Sequence, residues 1–187
     1  MTNFTMHDET TAPEASRDLL ENAKKAYGAI PGLYAVMAEA PELLKSYHAV
    51  HAQFVDSGFT AEELTVVWQA INVENGCGYC VPAHTAFAKS MKVDDAISKA
   101  LRDQTPLPTA RLEALRDFTL TLVRERGHVS EQDMQAFLAA GFSTRNMLGV
   151  ILGYAQKVMS NYTNHLAHTP VDKMFQPFAW QPAQAAE

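Results

Sequence analysis

Cysteine is scarce in this chain. Its 187 residues include two, Cys77 and Cys80. That excludes a scaffold stapled by several disulfides, and a chain of this length can bury a real core without them. Runs of basic charge are missing too. The formal net charge is −6 and no Lys/Arg stripe stands out, which argues against nucleic acid and membrane as partners. No uninterrupted apolar run approaches the roughly 18 residues that a transmembrane helix needs. The opening stretch, MTNFTMHDETTAPEAS, has neither a basic start nor an apolar segment. A secretory signal is therefore not expected, and the expected compartment is the cytoplasm. Alternating strand patterns, internal repeats, low-complexity tracts and Gly-rich phosphate loops are also lacking.

What is present reads as helix. Hydrophobic residues make up 47% of the chain, ordinary for a globular protein. Residues 1–15 are polar and read as a flexible tail. Residues 16–187 read as one all-α domain of about eight helices. Ser16 is a plausible cap for a helix over 17–27. Ile30-Pro31-Gly32 is a break, and helical pieces follow over 33–38 and 41–55. Thr60 and Glu63 form a T-x-x-E capping box. The run over 64–73 that follows is apolar on nearly every side. Such a helix belongs in the middle of a bundle or at a subunit interface, and the interface reading implies a symmetric oligomer. Asn75-Gly76 ends it, and a helix over 77–92 starts at once. Further helices are expected over 94–102, from the Thr109 cap to about Arg126, and over 131–140 behind Ser130. The last long helix opens at Ser143 or Thr144, with Met147, Ile151, Tyr154, Val158 and Tyr162 as its apolar stripe. From Thr169 the chain is spaced by prolines and reads as irregular.

The two cysteines stand in Glu74-Asn75-Gly76-Cys77-Gly78-Tyr79-Cys80-Val81-Pro82-Ala83-His84. If the helix begins at Cys77, then Cys77, Cys80 and His84 fall at roughly 0°, 300° and 340° on one face. Three chemistries suit that cluster. Two buried thiols can simply pack as small hydrophobes. A zinc ion takes Cys and His, but a structural site wants four ligands, and only His165 or Glu74 could complete the set in space. The third is a redox-active dithiol. A helix N-terminus and a nearby imidazole lower a cysteine pKa, and the thiolate is the reactive form. The histidine and the helix start coming together with the cysteine pair favour this third chemistry.

At these residues the chain resembles the carboxymuconolactone decarboxylase-like superfamily, in its alkylhydroperoxidase AhpD-like, peroxidase-related branch. The match runs over Asn75-Gly76-Cys77-Gly78-Tyr79-Cys80-Val81-Pro82-Ala83-His84, after a hydrophobic helix that ends in Asn-Gly. Asn161-Tyr162-Thr163-Asn164-His165-Leu166 is similar to the branch's C-terminal helix. The resemblance implies an all-helical subunit assembled as a homotrimer or homohexamer. It implies reduction of a small hydroperoxide without a bound cofactor, with an external dithiol or thiol protein as reductant. By position, Cys80 would be the attacking thiolate, Cys77 the resolving thiol and His84 the proton relay. Tyr79 stands where many relatives have histidine. The family pattern places a glutamate twelve residues before the first cysteine, and here that position is Thr65. Glu74 is the nearest alternative carboxylate.

Competing functions are a non-catalytic redox sensor or thiol-dependent binding module, and a lactone decarboxylase-type reaction, in which the Cys-x-x-Cys pair would have no job. Asn161, His165 and His168 share a helical spacing and read as a solvated or hydrogen-bonded face. His48 and His51 read as surface residues, and Trp68 and the methionines as core.

Overall fold

The computed structural model describes residues 3–182, and within them it is all-α. Nine α-helices occur among the described residues: α1 (Glu14–Tyr27), α2 (Gly32–Met37), α3 (Pro41–Val55), α4 (Ala61–Glu74), α5 (Cys80–Ser90), α6 (Asp95–Asp103), α7 (Ala110–Arg124), α8 (Glu131–Ala139) and α9 (Thr144–Ala167). One 3₁₀ turn, Gln176–Phe178, follows. Among the described residues no single helix is long and apolar enough to cross a membrane. Residues 1–2 of the expected tail and 183–187 of the expected domain lie outside the described residues.

α4 is the axle of the bundle. The Thr60–Glu63 capping box forms as its chemistry requires, with Thr60 Oγ1 accepting from Glu63 N and Glu63 Oε2 from Thr60 N. Every residue from Glu63 to Asn72 is buried, under α5, α6, α7 and α9. The bundle-centre alternative for this helix is therefore the one realised. Full burial of side chains such as Val67 and Ile71 stabilises by about 1.5–3 kcal/mol each. Because the subunit itself covers α4, this helix gives no reason for an oligomer.

The large core joins α4 to α6–α9, with Phe54 and Phe59 inserted from the α3 side. A second, smaller core gathers α1–α3 around Cys77, Tyr79, Cys80 and Phe175. The cysteine pair thus sits between two packed layers.

Three expectations change on folding. α1 begins at Glu14, and Ser16 is an interior residue whose hydroxyl donates to Ala38 O at 2.8 Å. The stretch before α1 lies against α2, where His7 N donates to Ala35 O at 3.0 Å and Ala12 is buried. The third change is in α9. The stripe Met147, Ile151, Tyr154, Val158, Tyr162 is not its core face, and Ile151 and Tyr162 are about half exposed. The buried face is Gly149, Val150, Gly153, Gln156, Lys157, Ser160, Asn161 and Asn164. Glycines let the aromatic side chains in. A Cβ on Gly153 would lie 2.8 Å from Phe54, and one on Gly149 2.9 Å from Phe59. The polar residues of that face are held by partners on α4 and α5, described next.

Beyond α9 the chain is irregular, and it folds back over the second core. Asp172 accepts from Gly32 N, and Arg102 donates to Phe178 O and Ala179 O.

Candidate active site

The site is built where α4 hands over to α5. Asn75 ends α4, and Gly76 adopts φ +63°, a left-handed conformation that costs glycine nothing. The chain reverses there, and Cys77 N donates back to Asn72 O at 2.9 Å. α5 begins at Cys80 rather than Cys77. Cys77 therefore precedes the helix, and the one-face arithmetic holds for Cys80 and His84 alone, one turn apart. Cys77 instead plays the part of a cap: its Sγ accepts from Cys80 N at 3.3 Å and its carbonyl from Val81 N at 3.1 Å. Pro82 falls in the first turn, where a missing N–H leaves no bond unmade.

The environment separates the two thiols. Burial pushes the Cys80 thiol up. The hydrogen bond from Cys77, the charge of Lys157 and the side-chain donors Asn164 and Asn161 outweigh burial and bring it down to about 6. Asn164 Nδ2 lies 3.2 Å from Cys80 Sγ. The hydrogen bond to Cys80, then burial and the Cys80 charge, push the Cys77 thiol up. Both cysteines are free thiols.

His84 is buried and stands beside Trp68, ring centroids 4.9 Å apart. Burial, then the Lys157 and His51 charges, hold its imidazole well below the usual range. Its Nε2 lies 2.6 Å from Lys157 Nζ. Burial also lowers the Lys157 ammonium, and the charge of Cys80 offsets part of that.

An amide ladder fixes these groups. Asn75 Nδ2 donates to Asn161 Oδ1 and Asn161 Nδ2 to Asn72 Oδ1, both at 2.9 Å. Asn72 Nδ2 donates to Gln69 Oε1, and Gln69 Nε2 to Val81 O and Thr85 Oγ1, all at 3.1 Å. α4, α5 and α9 are thereby locked in register around the sulfur. Behind it, Gln156 accepts from Trp68 Nε1 at 2.7 Å and donates to His51 Nδ1 at 2.9 Å. His51 is thus a half-buried member of the inner network, not a surface residue. Burial, with Lys157 and His48, lowers it to about 4.

Cys80, His84 and Lys157 line a small cavity of about 30 Å³ walled by Tyr27, Tyr34, Tyr47, Tyr79, Phe87 and Phe175. Tyr79 holds the roof: its hydroxyl donates to Asp172 Oδ2 at 2.7 Å and accepts from Leu33 N at 3.2 Å. An open groove lined by Cys77, Asn164, His165, His168 and Trp180 lies on the other side.

The other candidates fall elsewhere. Glu74 is gripped by both arms of the Arg124 guanidinium, at 2.7 and 2.8 Å. It lines a separate hollow with Ala70 and Asp117. Thr65 is buried and donates to Ala61 O, so its position supplies no base. His165 is exposed. Among the described residues no three His, Cys, Asp or Glu side chains converge as metal ligands. The proposed fourth ligands are thus not brought to the cysteines.

Lys157, Asn161, Asn164, Gln69 and Asn72 were not singled out by their sequence context as groups serving the cysteine. The available signal was the polar run at 156, 157, 160, 161 and 164, which follows helical spacing on one side of α9.

The fold recurs in solved structures. The alkylhydroperoxidase AhpD core of an uncharacterized peroxidase-related protein from Ralstonia eutropha JMP134 superposes with a TM-score of 0.83. The pair is 20% identical, over 92% of this chain and 93% of that one. The chain has the AhpD-like fold. An uncharacterized peroxidase-related protein from Silicibacter sp. TM1040 gives a TM-score of 0.78 at 20% identity, over 93% of this chain and 92% of that one. The debrominase Bmp8, as a variant in complex with 2,3,4-tribromopyrrole, shares the AhpD-like architecture at a TM-score of 0.76 and 12% identity, over 95% of each chain. No family model matches the chain, and no curated protein sequence does.

Proposed function

We propose that the protein is a two-cysteine thiol peroxidase that reduces hydroperoxides through Cys80 and Cys77. The observation that carries this reading is the contrast between the cysteines. One thiol is lowered to about 6 on the wall of an aromatic-lined cavity, and its neighbour is raised and hydrogen-bonded to it. The Cys80 thiolate attacks the outer oxygen of the hydroperoxide, the O–O bond breaks and an alcohol leaves. The resulting sulfenic acid condenses with the Cys77 thiol, releasing water and forming a disulfide. An external dithiol or thiol protein returns both sulfurs to the reduced state. The subunits assemble as a homotrimer or homohexamer, which the exposed apolar side chains of α9 favour.

The test is peroxide consumption with several reductants by the wild type, Cys80→Ser and Cys77→Ser. Cys80→Ser loses turnover; Cys77→Ser is oxidised once and stops. Sustained turnover by Cys80→Ser sinks the proposal. A redox sensor is separated by stoichiometry, since it consumes one equivalent of peroxide whatever the reductant.

The aromatic walls favour a second reading with the same electron flow. A haloaromatic ring would exchange halogen for hydrogen while the cysteine pair is oxidised to the disulfide and halide departs. Halide release from a brominated heteroaromatic, at a rate matching or exceeding peroxide consumption, would favour it.

A further inference from the structure

Lys157 is a buried cation with an unusual choice of company. It lies on the inner face of α9 with no exposed surface. Its ammonium meets the imidazole of His84 at 2.6 Å, and among the described residues it makes no ion pair with a carboxylate. A buried ammonium without a counter-ion is strongly disfavoured. α1 contributes Tyr27, α2 and α3 contribute Tyr34 and Tyr47, whose hydroxyls burial pushes up, and α3 adds His48 and His51, which burial keeps neutral. The turn before α5 contributes Cys77 and Tyr79, both pushed up. α5 adds His84, pushed down. The C-terminal segment brings Asp172, whose oxygens are taken by Gly32 N and Tyr79 OH. The remaining anion is the Cys80 thiolate, at whose sulfur the Lys157 charge acts.

The imidazole has a second end. His84 lines the cavity, and its Nδ1 is buried without a hydrogen-bond partner. A buried nitrogen left unpaired calls for a ligand atom. With the proton on Nδ1, Nε2 is free to accept from Lys157.

We propose that Lys157 is the counter-ion of the Cys80 thiolate and, through His84, the source of the proton that the departing alcohol needs. It takes over work that the absent family carboxylate cannot do here. The step balances. The Cys80 thiolate takes the outer oxygen of ROOH and becomes a sulfenic acid as its S–O bond forms and the O–O bond breaks. The Nδ1 proton of His84 passes to RO⁻, and a proton from Lys157 Nζ passes to Nε2. The site begins as a thiolate–ammonium pair and ends neutral, so no uncompensated charge is buried at any stage. Reduction of the disulfide by two thiols later restores the Cys80 thiolate; one of their protons enters at His84 Nδ1 as the Nε2 proton returns to Lys157.

This proposal rests on the peroxidase reading for its second half only, and two measurements separate them. The first is alkylation of Cys80 by iodoacetamide against pH, in a Cys77→Ser background, with Lys157 intact or changed to Met or Gln. The neutral variants are expected to ionise the thiol at higher pH than the Cys77→Ser parent, which itself lies above about 6 because the Cys77 hydrogen bond is gone. Each unit of that rise slows alkylation about ten-fold at a pH below both values, and the profiles converge above about pH 10. An unchanged profile in a variant that melts cooperatively overturns the counter-ion role.

The second is sulfenic acid formation at pH 7, with each rate divided by the thiolate fraction that the alkylation profile gives, using an alkyl hydroperoxide and a peracid. A departing carboxylate needs no proton. Lys157→Met should therefore be slowed at least ten-fold with the hydroperoxide and much less with the peracid. Equal loss with both overturns the proton-source role. If wild type consumes neither oxidant, the peroxidase reading and the proton-source role both fail, and the alkylation profile still decides the counter-ion role.

Discussion

Asn164 and Cys80, 84 residues apart in sequence, meet amide nitrogen to sulfur at 3.2 Å. The donor comes from the last turns of α9 and the acceptor from the first turn of α5, so the thiolate is completed by the far end of the chain. A hydrogen bond to a charged acceptor contributes about 1.5–3 kcal/mol. Replacing Asn164 by Leu should therefore raise the Cys80 pKa by roughly one to two units. The measurement is the pH dependence of thiol alkylation. A profile within the error of wild type would show that the amide contributes packing alone.

Acid should unfold the reduced protein early. The Cys80 thiol is depressed in the folded state, so its contribution is full above the unfolded value of about 8.5 and is lost as pH falls through about 6. His84 and His51 are held below their usual range, His51 to about 4. Their neutral forms favour the fold above about pH 6.5, and that contribution fades as pH falls toward their folded values. The two windows act in one direction. Thermal melts should show Tm falling from pH 9 to 6.5 and more steeply from 6.5 to 4. His51→Phe should flatten the second part. A Tm that rises on acidification would contradict the sign.

Glu74 provides a contrast. Its carboxylate is held by Arg124 on the outer side of α4. Partly exposed pairs of this kind contribute about 0–1 kcal/mol. Glu74→Gln should lower stability by no more than that, and leave Cys80 alkylation unchanged at every pH. A shift in the alkylation profile would bring this residue back into the proton path.

Gly153 faces α3 and α4 at once. An added Cβ would lie within 3 Å of atoms of both Phe54 and Val67. Alanine improves helix propensity by about 1 kcal/mol, but overpacking of a rigid core costs about 1–3 kcal/mol. With two neighbours crowded at once, the clash should win. Urea denaturation of Gly153→Ala should show a net loss of stability; a gain would mean that the aromatic ring of Phe54 moves aside cheaply.

Leu148, Ile151, Tyr162 and Leu166 lie along the outer side of α9, and Leu148 and Leu166 are 67% and 68% exposed. Large apolar side chains exposed along one side of a helix mark a candidate interaction surface. Sedimentation should give a trimer or hexamer for wild type and smaller species for Leu148→Asp/Leu166→Asp. A 20.6 kDa monomer for wild type at micromolar concentration would refute assembly.

Much of the fold was legible because it is locally encoded. Thr60, Asp94, Thr109, Ser130 and Ser143 each bond an amide two or three residues on, so the signal and its effect lie within one turn. Cys80 and His84 were legible because their spacing is also local. The start of α5 was not, since Cys77 acts through its sulfur and carbonyl rather than as a helical residue. Lys157, Asn161 and Asn164 were hidden for another reason. A polar residue on a helix is ordinarily solvated, and only the partners on α4 and α5 make its burial favourable. The same ambiguity misassigned the face of α9: apolar periodicity marks a side that leaves water, without saying whether it meets this chain or another molecule.

The 24 residues of α9 therefore work like a two-sided key. One side holds amides, a cation and two notches for phenyl rings; the other holds leucine, isoleucine and tyrosine. A slip of a single residue turns a helix by about 100°. It would bring Thr163 or His165 toward the sulfur in place of Asn164 and carry the lysine toward solvent. The lock admits one register, and its wards are the rings of Phe54 and Phe59, more than twenty residues away from either cysteine in sequence for the first and eighteen for the second.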